Sequence, residues 1–134
     1  MLAAAQASLL PALAVFGGSA AGGVARFWLS EWCARRLGTR FPWGTLAVNA
    51  SGALVLGFVA ALGLDRGGLA WQFGALGLLG SYTTVSSFSL QTLALAHDRA
   101  WGRVALNIGG SLLLCLGGVA VGWMFGAGTW GGGP

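Results

Sequence analysis

Residues 77–91 read GLLGSYTTVSSFSLQ. The first four suit a membrane helix, yet Ser81, Tyr82, Thr83, Thr84, Ser86, Ser87, Ser89 and Gln91 follow within the same apolar neighbourhood. A hydroxyl in lipid needs a partner, and Ser or Thr can bond back to the carbonyl three or four residues earlier. That habit absorbs two or three of these groups. It does not absorb Ser81, Thr83, Thr84, Ser86, Ser87 and Ser89, which point around all sides of a helix. A break after Gly80 would free backbone carbonyls as well. Such backbone is tolerated at membrane depth only where it is buried in protein or lines a polar cavity. Freed carbonyls with hydroxyls could coordinate a cation, and hydroxyl protons could line an anion path.

The rest of the chain makes the membrane setting firm. Of 134 residues, 56% are hydrophobic and 7% charged, against about 25% charged in a soluble domain. Stretches of the roughly 20 apolar residues that cross a bilayer lie at about 9–29, 44–64, 69–96 and 104–126. The separators SEWCARRLGTRFPW, DRGG and HDRAWGR hold every carboxylate and every arginine except Arg26. Trp28, Trp32, Trp43, Trp71, Trp101, Trp123 and Trp130 fall near span ends, where an indole prefers the headgroup level. The fold expected is all-α, one four-span domain over 1–134 with its third span broken near the middle. The first span has no basic leader segment, which argues against a cleaved signal, and the tail TWGGGP is expected to be disordered.

Twenty-five glycines suit helices that associate by close contact between small residues four apart. Ala14, Gly18 and Gly22 form such a stripe, and Gly52, Ala60, Gly109, Gly117 and Gly118 suggest others. Four short spans enclose little space, so a polar pathway is easier to build between subunits, and a dimer is the simplest expectation. Asn107, Ser111 and Cys115 lie at i, i+4 and i+8 on one face of the fourth span. Asn49 in TLAVNASG is either interhelical glue or a further donor. Donors in three spans with no fixed negative charge among them are chemistry for a small anion. Glu31, Asp65 and Asp98 sit at span ends or in loops, which disfavours a proton-coupled cation exporter. No nucleophile faces His97, which disfavours an enzyme, and Cys33 and Cys115 lie at different depths.

GGSAAGGVARFWL (17–29), FPWGTLAVNASGALVLGF (41–58) and GLLGSYTTVSSFSL (77–90) resemble the three signature segments of the Fluc/CrcB fluoride channels. The resemblance covers nearly the whole chain. It implies a passive channel of the bacterial inner membrane, an antiparallel, dual-topology dimer of four-span subunits. Two narrow fluoride paths would flank a structural sodium ion. Fluoride, a second subunit and the bilayer are the implied partners; nucleic acid is not. The carbonyls of Gly80 through Thr83 would hold the sodium ion. Asn49 would donate to fluoride, and the ring edge of Phe88 would meet it. Asn107, Ser111 and Cys115 match the family's polar track, with Thr84, Val85 and Ser87 counted beside them in the pore. Arg26 matches the first-span arginine, and its position suits either a pore vestibule or snorkelling to the headgroups.

The chain departs from that pattern at three places. Val85 replaces the first of two phenylalanines, Gln91 stands where relatives often carry an acid, and Asn107 stands where a Tyr is typical. Charge adds a further departure. Arg35, Arg36, Arg40, Arg99 and Arg103 fall on one side of a four-span layout and Arg66 on the other, a bias that favours a single orientation. Two assemblies follow: an inverted homodimer, or a heterodimer whose partner inserts the other way and supplies the missing ring. A non-conducting accessory subunit of the same fold is the third expectation.

Overall fold

A computed structural model describes residues 2–130, with side chains from 9 to 129. Helix α1 spans Leu2–Leu37 and α2 spans Trp43–Ala61. Helix α3 runs through Leu69–Trp71, Gln72–Leu79 and Gly80–Tyr82, its middle section wound as π-helix. Helix α4 is Val85–His97 and α5 is Trp101–Trp130. Among the described residues no strand occurs.

Among the described residues, three helices are long and apolar enough to cross a membrane: Leu9–Leu37 within α1, Trp43–Ala61, and Trp101–Thr129 within α5. The third expected span, 69–96, is divided into α3 and α4, and neither half has that length alone. The break falls at Thr83 and Thr84, which are extended (ψ 157° and 121°), not directly after Gly80. Gly80 stays helical because its N–H still reaches the Ala75 and Gly77 carbonyls. Thr84 sets the restart: its hydroxyl accepts from the Ser87 N–H at 3.2 Å and caps α4.

The first span also runs further than expected. Instead of ending near Leu29, α1 takes in most of the first separator, an extent of roughly 54 Å for its 36 residues at about 1.5 Å each. Glu31 and Arg35 pair at 3.1 Å across one turn, and Arg35 and Arg36 suit the negative end of the helix. Gly38, at φ 81°, ends it with its N–H on the Ala34 carbonyl. At the other terminus, Thr129 and Trp130 continue α5; the rest of the expected disordered tail, 131–134, lies outside the described residues.

Glycine contacts give the packing order. A Cβ on Gly18 would overlap the Phe73 carbonyl, one on Gly22 the Leu78 carbonyl, and one on Gly77 would come within 2.6 Å of the Val15 carbonyl. Gly18, Gly22 and Gly23 meet Phe73, Leu78 and Ser81 in rising order, so α1 and α3 run parallel. Gly57 meets Val119, Gly118 meets Ala50, Gly122 meets Leu54, and Gly126 meets Phe58 and Ala61, so α2 and α5 run parallel as well. The stripe on α5 is therefore Gly118, Gly122 and Gly126. Gly109 and Gly117, named from the sequence, meet nothing within the subunit. Little side-chain surface is buried otherwise: Val48 and Asn107 are the large residues fully enclosed. Apolar residues such as Phe16, Leu113 and Met124 face outward, as a bilayer requires.

The loop after α1 and the loop after α4 meet at one end of the bundle, where an Arg103 Nη1 donates to the Arg40 carbonyl at 3.4 Å. The five arginines of those segments share that end.

Candidate functional site

The site is built around the interruption at Thr83 and Thr84. A helix that stops inside a bundle leaves backbone groups to be satisfied by other means. Asn49 on α2 supplies them. Its Oδ1 accepts from the Thr84 N–H and its Nδ2 donates to the Thr84 carbonyl, both at 2.8 Å. Of the two sequence readings of Asn49, glue is therefore realised, and one N–H of the amide is left over. Nearby, Ser51 and the Tyr82 hydroxyl bond at 2.8 Å, and a Cβ on Gly52 would overlap the Thr83 methyl. The break thus lies beside the middle of α2.

Carbonyls are released on the other side of this arrangement. The Thr84 N–H would close on the Gly80 carbonyl in an unbroken helix, but it is taken by Asn49. The Ser87 N–H would reach the Thr83 carbonyl, but it is taken by Thr84 Oγ1. The Leu79 carbonyl is occupied by the N–H and hydroxyl of Thr83, both at 3.0 Å. Gly80, Thr83, Val85, Asn49 and Cys115 line an open groove of about 330 Å³ here. Carbonyl oxygens at the C-terminal end of a half-helix carry partial negative charge, so the donor set fits a small monovalent cation. No group of three or more His, Cys, Asp or Glu among the described residues would hold a transition metal.

A second cavity, about 480 Å³, reaches the same break from the arginine-rich end. Arg26, Ser30, Thr45, Thr84, Ser87 and Gln91 contribute to its lining. Arg26 is not at a helix end, since α1 continues to Leu37, about three turns further. It sits just past Gly23, which faces Ser81, and so close to the level of the break. Glu31 lines the cavity too, but its carboxylate is engaged by Arg35. Arg26 has no ion-pair partner among the described residues, so the cavity is electropositive near its floor. Of the two placements the sequence allowed, the cavity is where the residue is found.

Thr45 is a residue that sequence reading missed. It is buried, lines this cavity and lies one turn before Asn49, an i, i+4 spacing that could have exposed it. The hydroxyls divide into two sets. Thr83 and Thr92 bond back along their own helices, to the Leu79 and Phe88 carbonyls. Thr84 gathers Ser86 and Ser87 at 3.2 and 3.1 Å.

The three residues of the fourth-span track lie in two places. Asn107 is 1% exposed and donates to Thr92 Oγ1 at 2.9 Å, while its Oδ1 is buried without a partner. Ser111 is buried beside it, and Cys115 reaches the groove at the break. Asn107 and Ser111 line neither the groove nor the Arg26 cavity. Phe88 is half-buried on α4, whereas Val85 one turn earlier is 77% exposed.

Residues 13–123 match the family described as CrcB-like protein, Camphor Resistance (CrcB). Among curated relatives, the fluoride-specific ion channel FluC 2 of Rhodopseudomonas palustris is 52% identical over 111 residues, 79% of this chain and 85% of that protein. FluC 2 of Bradyrhizobium diazoefficiens is 44% identical over 128 residues, 89% of this chain and 90% of the relative. FluC of Opitutus terrae is 48% identical over 104 residues, covering 74% and 79%.

Proposed function

The chain belongs to the CrcB family, and we propose that it is a subunit of a passive, fluoride-selective channel in the bacterial plasma membrane. As a member of a channel family it is not an enzyme. The observation that carries the reading is the 480 Å³ cavity, which joins the unpaired Arg26 to Thr84 and Ser87 at a break held by Asn49. Fluoride holds its water tightly, so a path must replace water by other donors. Amide, hydroxyl and aromatic C–H edges do so weakly and in series, and weak sites are what conduction needs. A fixed carboxylate in the path would repel the ion, and none lies between Arg26 and the break.

In this proposal α3 and α4 together make the third of four crossings, and two subunits pair in opposite orientations. Asn49, through its spare N–H, and Thr84, Ser87 and Cys115 donate along the path, while Asn107, whose amide donates to Thr92, and Ser111 stand outside both cavities. The ring edge of Phe88 faces the ion, and Val85 takes the place of a second ring. Released carbonyls at Gly80 and Thr83 of each subunit would hold a sodium ion between them, which supplies a fixed positive charge at the centre of the dimer and ties the two half-helices together.

A heterodimer is the second reading, favoured by the Arg40–Arg103 contact that gathers five arginines at one end. A chain so biased inserts preferentially one way. Fluoride efflux from liposomes holding this chain alone, followed with a fluoride electrode and a chloride control, separates the readings. Fluoride-selective efflux establishes the homodimer, and Phe88→Ala is then expected to slow it by about tenfold or more, since alanine leaves no ring edge to meet the ion. If the chain is silent, Val85→Phe recovers flux where a lost ring is the cause, and co-expression with an oppositely oriented homologue recovers it where a partner is missing. Silence in all three arrangements sinks the channel reading and leaves an accessory subunit.

Arg26→Gln is expected to lower the efflux rate several-fold at low ionic strength and to flatten its dependence on salt. A charge that acts by drawing in anions is screened beyond about 10 Å at 0.1 M. Unchanged rate and salt profile would return Arg26 to a packing role.

A further inference from the structure

We propose that the cleft between the α1–α2 loop and the α4–α5 loop binds the headgroup of an anionic phospholipid. The cleft has a volume of about 380 Å³, and Thr39, Arg40, Gln91, Asp98 and Arg103 form its polar lining. It is distinct from the Arg26 cavity, although Gln91 and Thr39 border both. The proposal does not depend on which ion the protein passes.

Charge accounting at this end carries the argument. Two carboxylates occur there, Glu31 and Asp98. Glu31 is committed to Arg35 at 3.1 Å; Asp98, exposed and 3.8 Å from His97 Nδ1, lines the cleft itself, so two guanidinium groups there face one carboxylate. Arg36 is stacked over the Trp32 ring at 5.9 Å. Arg40, Arg99 and Arg103 have no carboxylate partner among the described residues. One Nη1 of Arg103 donates to the Arg40 carbonyl, which draws the two segments together and leaves most of both guanidinium forks open. Planar forks of this kind take phosphate oxygens two at a time.

Position and size choose the lipid over a free anion. Trp43 follows Pro42 at one rim of the cleft and Trp101 precedes Arg103 at the other, and both are exposed. Exposed indoles of a spanning protein sit at the headgroup level, so the cleft opens in the plane where lipid phosphates lie. Three of its eight lining residues, Pro42, Ala94 and Leu95, are apolar, which suits a glycerol backbone beside the phosphate. The volume falls within the range of roughly 300–1,000 Å³ typical of small-molecule pockets and exceeds what one inorganic ion fills.

The test uses the purified full chain in a neutral detergent. Short-chain phosphatidylglycerol, short-chain phosphatidylcholine and inorganic phosphate are titrated separately, with binding read from tryptophan fluorescence and from the thermal unfolding midpoint. Phosphatidylglycerol is expected to bind about tenfold or more tightly than phosphatidylcholine, as two phosphate-facing arginines would give. The Arg40→Gln, Arg103→Gln double variant is expected to lose that preference, and Arg66→Gln, at the other end of the bundle, to keep it. Arg103→Lys, which retains charge and folding but not the fork, is expected to fall between. Equal binding of the two lipids by the unaltered protein overturns the proposal, as does a preference that survives the double variant. Inorganic phosphate competing as well as phosphatidylglycerol overturns it in favour of a free-anion site.

Discussion

Asn49→Ala will abolish the function of this protein and destabilise its fold by about 2–6 kcal/mol, the cost of stranding two buried backbone groups at roughly 1–3 kcal/mol each. The Thr84 N–H and carbonyl have no other partner, and both bonds to Asn49 are 2.8 Å long. Inside a bilayer no water replaces them cheaply. The chain's easiest escape is to close the Thr84 N–H back onto the Gly80 carbonyl, winding α3 and α4 into one helix. That would remove the released carbonyls, the Thr84 cap and the floor of the Arg26 cavity together. Asn49→Asp sharpens the test. A carboxylate still accepts from the Thr84 N–H but cannot donate to its carbonyl, and it adds a negative charge beside the path. Its efflux should be as poor as that of Asn49→Ala even if its unfolding temperature is higher. Fluoride efflux that persists at near the original rate in Asn49→Ala would show that the break is held by something else.

That role for Asn49 was half visible in the sequence, where a lone amide in TLAVNASG stood equally for glue or donor. The difference lies in partners 35 residues away, and no local pattern specifies them. The spans were visible because hydropathy is local, and the break was visible because a helix cannot satisfy hydroxyls on every side. The break was expected over Gly80 to Thr83 and falls at the end of that stretch, at Thr83 and Thr84. Glycine is the obvious breaker, but Gly80 kept its N–H bonds and a threonine cap decided the restart. The reach of α1 was obscured by its arginines, which read as loop and in fact form a helix end with Glu31 and Gly38. Arg26 changed place for the same reason. Thr45 was overlooked because it sits in an apolar helix with no other polar residue on its turn.

The glycine stripe on α5 supports a prediction of comparable size, since two glycines of one helix should respond oppositely to the same change. Gly122 is buried where α5 crosses α2, and a Cβ there would overlap the Leu54 carbonyl and come within 2.8 Å of the Phe58 amide nitrogen. Both are backbone atoms, so no side chain can rotate away, and the helices must part. A Cβ on Gly57 would likewise overlap the Val119 carbonyl, one on Gly126 would come within 2.6 Å of the Ala61 Cβ and one on Gly118 within 3.2 Å of the Ala50 carbonyl, so parting at one point loosens the whole seam. Gly122→Ala is expected to cost about 3 kcal/mol, the upper part of the usual overpacking range. Gly117 meets nothing within 4 Å, and Gly117→Ala should leave the subunit's stability within about 1 kcal/mol, with any gain coming from alanine's better helix propensity. Because α2 carries Asn49, a shift of the α2–α5 seam also moves the clamp on Thr84. Gly122→Ala should therefore lose efflux by about tenfold or more, out of proportion to the single methyl added. Unfolding temperature in detergent and efflux in liposomes, measured on both variants side by side, check the pair. Equal unfolding temperatures for the two would mean that α2 and α5 are not in the close register that their glycines define.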